Sequence, residues 1–242
     1  MAGNKVALVI GAGDATGGAI AKRFAREGYV TCCVRRNGDK LTPLITEIEE
    51  AGGRGIAYGC DARKEEEVIE LVEKIEADVG PIEVSVFNIG ANVFFPIRDT
   101  TSRVFTKVWE MACFAGFIAG REAARVMVPR GRGTILFTGA TASVRGSAGF
   151  SAFASAKHGL RAIAQSTARE LAPLGIHVAH LVVDGPINTE WTSQNVPNFE
   201  ERLADDAVLE PASIAETYWA IHSQPKDTWT FELDVRPWKE NW

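Results

Sequence analysis

A short glycine-rich segment near the start of the chain has the composition of a phosphate-binding loop. Residues 11–18 read Gly-Ala-Gly-Asp-Ala-Thr-Gly-Gly, between the apolar run 6–10 and an amphipathic stretch over 17–27. Glycines let a chain turn sharply from a strand into a helix, and they let a pyrophosphate approach the backbone N–H groups at the positive end of that helix. This setting predicts dinucleotide binding rather than a tight turn alone. The residues expected to make the contact are Gly11, Asp14, Thr16 and Gly17.

Two adjacent arginines, Arg35 and Arg36, follow the second predicted strand at 30–34. In dinucleotide sites an acidic residue at this place binds the ribose hydroxyls of NAD, whereas arginine accommodates the 2′-phosphate of NADP. Two guanidiniums offer charge-assisted and often bidentate hydrogen bonds to that phosphate. The pair therefore favours NADP, and NADPH over NADH; the alternative is that both are solvated surface residues.

Short β-branched runs alternate with longer amphipathic segments along the chain. Predicted strands lie at 6–10, 30–34, 55–60, 84–88, 134–138, 177–183 and 228–235. Predicted helices lie at 17–27, 40–51, 64–79, 102–127 and 149–171. This alternation is typical of a parallel sheet covered by helices on both faces. We predict a single-domain α/β fold over residues 1–242, a Rossmann-type doubly wound parallel sheet of about seven strands.

The segment 186–209 breaks this pattern, because it is polar and weakly periodic. Such segments often form mobile flaps over the mouth of a site, so a substrate flap is one interpretation. A plain surface loop is the other.

Composition excludes several classes of function. The net charge of −5 argues against a nucleic-acid partner, since phosphate backbones bind basic faces. No apolar stretch approaches the roughly 18 residues that span a membrane, and no signal peptide is recognised, so we expect a cytoplasmic protein without a membrane partner. The cysteines lack metal-ligand spacing, and Cys32, Cys33 and Cys60 fall in strand-like runs, which predicts buried thiols and no metal site.

The order and spacing of these motifs resemble the short-chain dehydrogenase/reductase family of NAD(P)-dependent oxidoreductases over nearly the whole chain. Gly11 and Gly17 fall on the first and last glycines of that family's coenzyme loop, and Ala15 replaces the middle one. The segments 60–62, 87–90 and 184–189 resemble three further coenzyme motifs of the family. The resemblance thereby assigns to the coenzyme Asp61, Ala62, Asn88, Gly90, Lys157, Gly185, Ile187 and Thr189. It also implies a small-molecule substrate and a homodimer or homotetramer.

Family members typically catalyse with an Asn, a Ser, a Tyr and a Lys. The resemblance places the lysine at Lys157 and puts Phe153 at the tyrosine position, four residues earlier. Ala140 stands at the serine position, and the asparagine falls on Ala112 or Cys113. A phenyl ring cannot donate a proton, and a general acid contributes about 10²–10⁴-fold to a rate. Ordinary ketone reduction should therefore be crippled unless another group serves.

Three nearby residues are candidates for that group. One interpretation of Asp184 is a proton donor, which requires an apolar pocket that raises the pKa of its carboxyl. The other is a cap of the turn, in which the carboxylate accepts hydrogen bonds from backbone N–H groups. Thr141 and Ser143 follow Ala140 and could supply an orienting hydroxyl.

Two functions stay open on the sequence. The first, favoured by the resemblance, is an NADP(H)-dependent oxidoreductase that transfers hydride to or from a small carbonyl, imine or activated enone by a non-standard proton route. The second is a catalytically impaired NADP-binding protein that acts as a sensor or partner subunit.

Overall fold

The fold is built on one sheet of seven parallel strands. The computed structural model describes residues 4–240. The strands are β1 (Val6–Ile10), β2 (Val30–Arg35), β3 (Arg54–Gly59), β4 (Ile82–Phe87), β5 (Gly133–Thr138), β6 (Ile176–Val183) and β7 (Glu232–Val235). Their order is β3-β2-β1-β4-β5-β6-β7, and every neighbouring pair is parallel. The predicted Rossmann-type α/β fold is confirmed.

Helices cover both faces of the sheet. They are α1 (Thr16–Arg26), α2 (Thr42–Glu50), α3 (Glu65–Asp78), α4 (Ser102–Trp109), α5 (Ala115–Met127), α6 (Ser151–Leu171), α7 (Glu190–Asn195), α8 (Phe199–Ala204) and α9 (Pro211–His222). Alternate side chains of β1 enter two separate cores. Ala7 and Val9 pack with α1, α2 and α9, whereas Leu8 and Ile10 pack with α3, α5 and α6. Burial on both faces explains why the central strands are continuous apolar runs.

The candidate functional residues lie at the carboxyl-terminal edge of the sheet, where the strands end. The strand order reverses between β1 and β4, whose carboxyl ends lie side by side. In open α/β sheets, ligands bind in the crevice at this reversal. The loops that follow β1, β4, β5 and β6 all begin at this edge, and together they carry most of the residues that the sequence singled out.

Three predicted segments differ in detail from the structure. The helix predicted over 102–127 is divided by a wider, π-helical turn at Glu110–Phe114. The last strand, predicted over 228–235, has only four residues, because the Gln224 side chain bonds the N–H and hydroxyl of Thr230 and holds the chain in a turn. Segment 186–209 is not a plain loop, since it contains α7 and α8.

The two ends of segment 186–209 are fastened together. The N–H of Leu209 donates to the Pro186 carbonyl at 2.8 Å, and the N–H of Asn188 donates to the Leu209 carbonyl at 2.8 Å. Thr189 caps α7, since its hydroxyl accepts from the Thr192 N–H at 3.1 Å. The segment is therefore a helical insertion whose two ends are hydrogen-bonded to each other beside the end of β6.

The four cysteines are all buried and unpaired, as predicted for three of them. Burial raises the pKa of the Cys32, Cys33 and Cys60 thiols to about 12, so they are protonated at neutral pH. Between residues 4 and 240, no helix is long and apolar enough to cross a membrane. The same residues contain no cluster of three or more metal-ligating side chains.

Candidate active site and coenzyme cleft

The glycine loop after β1 is shaped by close contacts between backbones. Gly11 has a φ of +92°, and a Cβ there would lie 2.7 Å from the Asn88 carbonyl oxygen. A Cβ on Gly17 would lie 2.2 Å from the Gly11 carbonyl oxygen. Both positions therefore require glycine. A Cβ on Gly13 would meet no atom within 4 Å, so this side of the loop is open to a ligand.

The other loop residues adopt ordinary conformations. Ala15, at the family's middle glycine, has a φ of −118°, so its methyl group is accommodated outside the left-handed region. Thr16 is buried in the first turn of α1. Asp14 is almost fully exposed, and its Oδ1 lies 3.9 Å from Nη1 of Arg35. Of the predicted contacts, Gly11, Asp14, Thr16 and Gly17 line a common cleft.

A cleft of about 580 Å³ extends from this loop across the ends of β2 and β3. Its lining includes four positively charged side chains, which are Arg35, Arg36, Lys40 and Arg63. Sequence reasoning identified the first two and missed the others. The position of Lys40 at the end of a 3₁₀ turn and the pairing of Arg63 both depend on local geometry that no motif describes.

Asp61 lies in this cleft but its carboxylate is already paired. Arg63 donates to it from Nε at 2.8 Å, from Nη2 at 2.5 Å and from its backbone N–H at 3.2 Å. These bonds to Arg63 hold the pKa of Asp61 below its ordinary value. The predicted contact between Asp61 and the coenzyme therefore competes with an internal ion pair, whereas the adjacent Ala62 lines the cleft as expected.

Asn88 joins the three central strands at the middle of the site. Its N–H donates to the Ile10 carbonyl at 2.8 Å, and its Nδ2 donates to the Gly11 carbonyl at 3.3 Å. Its Oδ1 accepts from the Thr138 hydroxyl at 3.0 Å. Asn88 thus fixes the glycine loop to the ends of β4 and β5, and Gly90 beyond it has open space where a Cβ would project.

Lys157 lies at the floor of a second cleft of about 650 Å³. The residue is only 2% exposed, and Nζ donates to the Thr138 carbonyl at 2.8 Å and the Ile89 carbonyl at 3.2 Å. Burial lowers the pKa of Lys157 to about 8. The centroid of the Phe153 ring lies 5.9 Å from Nζ, so an aromatic face adjoins the amine where the family has a phenol.

The positions of the other expected catalytic groups are apolar. Ala140 and Phe153 line the second cleft, and Ala112 and Cys113 lie buried behind Phe153 in one hydrophobic cluster. Ala112, Ala140 and Phe153 carry no ionisable group. Cys113 is buried, and burial raises the pKa of its thiol, which makes it a weaker acid. Of the positions that the resemblance assigns to catalysis, Lys157 carries the expected residue type.

Asp184 lies behind the wall of this cleft rather than in an apolar pocket. The Thr141 hydroxyl donates to Oδ1 at 2.5 Å, and guanidinium nitrogens of Arg145 and Arg236 lie 3.6 and 3.9 Å from the carboxylate. The Asp184 N–H also donates to the Val235 carbonyl at 2.8 Å. The interpretation as an acid in an apolar pocket is therefore wrong; the carboxylate anchors the loop after β5 to the ends of β6 and β7.

Ser143 does not reach the cleft either. It is fully buried, and its hydroxyl accepts from the Ala140 N–H at 3.1 Å. Thr141 lines the cleft, but its hydroxyl proton is donated to Asp184. The two hydroxyls that the sequence offered for substrate orientation stabilise the loop instead.

Segment 186–209 forms one wall of the second cleft. Gly185 has a φ of +149°, and a Cβ there would lie 2.8 Å from Pro237. The residues of the segment that line the cleft are Pro186, Ile187, Thr189, Trp191, Thr192, Val196 and Arg202. The predicted contacts Gly185, Ile187 and Thr189 therefore lie at the cleft, and Trp191, which sequence reasoning missed, adds a half-exposed indole. The flap interpretation fits this position.

This fold and this cleft agree with comparisons to known proteins. Residues 5–199 match the family model for short chain dehydrogenase. A crystal structure of a short-chain dehydrogenase from Rhodopseudomonas palustris is similar at 53% identity and a TM-score of 0.84, covering 97% of this chain and 99% of that one. The chain belongs to the short-chain dehydrogenase family, whose members are oxidoreductases that act on small molecules.

Solved relatives include complexes with both kinds of nicotinamide coenzyme. An alcohol dehydrogenase from the archaeon Thermococcus sibiricus, complexed with 5-hydroxy-NADP, is 25% identical with a TM-score of 0.87, covering 98% of each chain. A 7α-hydroxysteroid dehydrogenase complexed with NADH and 7-oxo glycochenodeoxycholic acid is 24% identical with a TM-score of 0.89, covering 98% of this chain and 94% of that one. The second likeness concerns the fold alone.

Proposed function

We propose that this protein is an NADP(H)-dependent oxidoreductase that transfers hydride to or from a small carbonyl, imine or activated enone by a non-standard proton route. The observation that carries the proposal is the continuity of the two clefts. Five residues line both clefts: Gly11, Gly13, Asn88, Ile89 and Gly90. Together the clefts run from the four positively charged side chains at one end to Lys157 at the other.

The residues present fit a 2′-phosphorylated dinucleotide. Gly13 and Gly90 leave open space where side chains would obstruct a pyrophosphate, and the N-terminus of α1 points at the same place. Arg35 and Arg36, with Lys40, supply the positive charge that a 2′-phosphate needs, whereas Arg63 is paired with Asp61. When bound, a nicotinamide coenzyme supplies the hydride, and the protein supplies position and electrostatics.

The second cleft favours an apolar substrate. Phe150, Phe153 and Trp191 line it, and Phe94 packs edge-on against Phe150 with ring centroids 5.4 Å apart. With Ala140 and Phe153 in place of hydroxyls, the cleft offers less hydrogen bonding to a carbonyl oxygen. Substrates that need little acid help, such as a preformed iminium or an activated enone, suit it best.

The same two replacements favour a second candidate, a catalytically impaired NADP-binding protein that serves as a sensor or partner subunit. Under this candidate the coenzyme end works as described, and the second cleft binds a ligand without turnover.

A screen separates the two candidates. NADPH oxidation is followed at 340 nm with panels of apolar ketones, cyclic imines and enones, after calorimetry has established NADPH binding. Turnover with any panel supports the oxidoreductase. NADPH binding with no turnover in all three panels supports the binding protein, and no NADPH binding contradicts both.

Assembly and location are part of the same proposal. We expect a homodimer or homotetramer in a reducing, cytoplasmic setting. On α4 and α5, Phe105, Trp109 and Phe117 are each about 40% exposed, which is more apolar surface than a solvated helix pair usually presents. Light scattering coupled to size exclusion measures the mass directly, and a monomer at micromolar concentration would contradict this part.

A further inference from the structure

The second cleft contains few groups that could exchange a proton near neutral pH. Among the described residues, its ionisable lining side chains are Asp14, Arg145, Lys157, Arg202 and Glu240. The arginines are always charged and cannot act as acids. Asp14 is almost fully exposed at the glycine loop, and Glu240 is partly exposed. Lys157 is the buried member of this set, and it lines the cleft together with Ala140 and Phe153, the positions that lost their hydroxyls.

The hydrogen bonds of Lys157 leave one position on its nitrogen free. An ammonium nitrogen is tetrahedral, with one bond to Cε and three N–H groups. Two N–H groups are taken by the carbonyl oxygens of Thr138 and Ile89, at 2.8 and 3.2 Å. The third position holds a proton in the ammonium and a lone pair in the amine. Lys157 therefore gains or loses one proton while both buried carbonyls keep their donors.

We propose that Lys157 is itself the proton donor in reduction, and the proton acceptor in oxidation, in place of the missing phenol. This inference rests on the proposed function. In reduction a bound dihydronicotinamide coenzyme would supply the hydride to the carbonyl carbon, and the carbonyl oxygen would form an O–H bond with the proton that leaves Nζ. The products would be the alcohol, the oxidised coenzyme and a neutral amine, which would recover a proton from water through the open cleft.

The electrostatic surroundings suit this role. Two titratable groups interact with the amine, Cys113 from the π-helical turn and His180 from β6. Burial raises the pKa of Cys113 and lowers the pKa of His180 to about 4, so neither side chain is charged between pH 6 and 8. Desolvation lowers the pKa of Lys157 to about 8, and an acid works best when its pKa lies near the working pH.

The first test observes the lysine without coenzyme or turnover. The full chain is labelled with ¹³C at the lysine ε-carbons, and the Lys157 signal is identified as the one missing from Lys157→Arg. We expect it to titrate with a midpoint near pH 8, while exposed lysines titrate at about 10.4. A midpoint above about pH 10 would overturn the proposal.

The second test separates proton transfer from coenzyme binding. Lys157→Arg keeps the positive charge but cannot release its proton. The substrate must be a ketone, because a preformed iminium needs no proton to complete its reduction. With the best ketone from the screen, we expect kcat to fall about 10²–10⁴-fold. Calorimetry measures NADPH affinity separately, so a loss of coenzyme binding is not mistaken for a loss of proton transfer. Lys74→Arg, on the exposed face of α3, is the matched control and should leave both unchanged. An unchanged kcat in Lys157→Arg would overturn the proposal.

Chemical rescue gives a signature that a structural role does not produce. In Lys157→Ala, primary amines added to the solution should restore part of kcat, with rates that depend on the pKa of the amine. Rates that ignore the amine pKa would contradict proton transfer at this position. Absence of NADPH binding by the wild-type chain would instead contradict the proposed function itself, which calorimetry detects separately.

Discussion

The two clefts differ in how many polar groups they offer a ligand. We call the cleft at the glycine loop and the arginines the coenzyme end, and the cleft at Lys157 the reaction end. At the coenzyme end, backbone contacts around Gly11 and Gly17 are tight, and four cations surround the cleft. At the reaction end, Ala140 and Phe153 are apolar, and of the positions that the resemblance assigns to catalysis Lys157 carries the expected residue type.

This difference follows from what each end is made of. Coenzyme recognition relies largely on the path of the backbone, which is fixed by the fold, and on several cations that share one task. Proton transfer relies on individual side chains, so one side chain such as Phe153 at the expected tyrosine position can change this function without disturbing the fold. Binding and proton transfer are therefore separable requirements in this architecture.

The largest expected effect comes from adding a methyl group to the glycine loop. In Gly17→Ala the new Cβ would lie 2.2 Å from the Gly11 carbonyl oxygen and 2.9 Å from the Ala12 Cα, so backbone must move. We expect NADPH affinity to fall at least about 100-fold, because a hydrogen bond to a charged phosphate is worth about 1.5–3 kcal/mol and a shifted loop would lose more than one. The overpacked loop should also lower the free energy of unfolding by about 1–3 kcal/mol.

Gly13→Ala is the matched control for this loop, because its Cβ would meet no atom within 4 Å. Chemical denaturation should show an unchanged free energy of unfolding for this variant. Equal destabilisation by both alanines would show that the loop tolerates no change, rather than a contact specific to Gly17.

The buried amine at the reaction end should make stability depend on pH. The pKa of Lys157 is lowered to about 8, so between pH 8 and about 10.4 the unfolded chain binds more protons than the folded one. Its contribution to stability therefore rises with pH through this window, by roughly 3 kcal/mol over the whole of it. Lys157→Met lacks this contribution.

The difference between the two proteins isolates this effect from the other groups. The thiols whose pKa is raised, such as Cys32 and Cys33, destabilise both proteins equally as pH rises. Urea denaturation at intervals from pH 7.5 to 10 should show that the free energy of unfolding of the wild-type chain rises relative to that of Lys157→Met. Parallel stability curves would contradict a desolvated lysine.

Coenzyme preference should depend on the arginine pair. Arg36→Ser removes one charge-assisted contact, worth about 1.5–3 kcal/mol, so NADPH affinity should fall roughly 10- to 100-fold while NADH affinity stays unchanged. Arg54→Ser, at the start of β3 on the opposite edge of the sheet, is the matched control and should change neither. An equal loss for both coenzymes would mean that Arg36 does not contact the 2′-phosphate.

Asp184→Asn tests whether the carboxylate anchors the loop or donates a proton. If the carboxylate anchors Thr141, Arg145 and Arg236, the substitution should lower the free energy of unfolding by about 1–3 kcal/mol. The midpoint of the kcat–pH profile should then stay unchanged. Asp205→Asn, from an exposed pair with Lys239, should cost less than about 1 kcal/mol. A shifted kcat midpoint in Asp184→Asn would return the carboxylate to the proton route.

The smallest effect is expected at the middle position of the glycine loop. Ala15 has a negative φ, so glycine brings no relief of strain there. In Ala15→Gly, NADPH affinity should stay within about twofold, and any stability change should stay below about 1 kcal/mol. A tighter complex in calorimetry would show that the methyl group hinders the coenzyme.

The parts of the molecule that the sequence predicted are those governed by local periodicity. Short apolar runs predict the strands, and the amphipathic segments between them predict the principal helices. A strand–loop–helix motif predicts the coenzyme contacts Gly11 and Gly17. The π-helical turn at Glu110–Phe114 lay outside this reasoning, because a single wider turn leaves the apolar pattern nearly unchanged.

The site details that escaped prediction depend on partners brought together by the fold. Asp184 meets Thr141 and Arg236, which lie 43 and 52 residues away, so its ionic surroundings have no sequence signature. The pairing of Asp61 with Arg63 is local, yet a side chain two residues away has several possible directions. Only the structure shows that this guanidinium turns back onto the carboxylate.

Titration calorimetry of the wild-type chain with NADPH and NADH, at one salt concentration, measures whether the cleft binds and prefers the 2′-phosphorylated coenzyme. We expect measurable heat with NADPH and an affinity at least about tenfold higher than for NADH, since the 2′-phosphate meets charge-assisted contacts. Equal affinity for the two coenzymes, or no heat with NADPH, would contradict it.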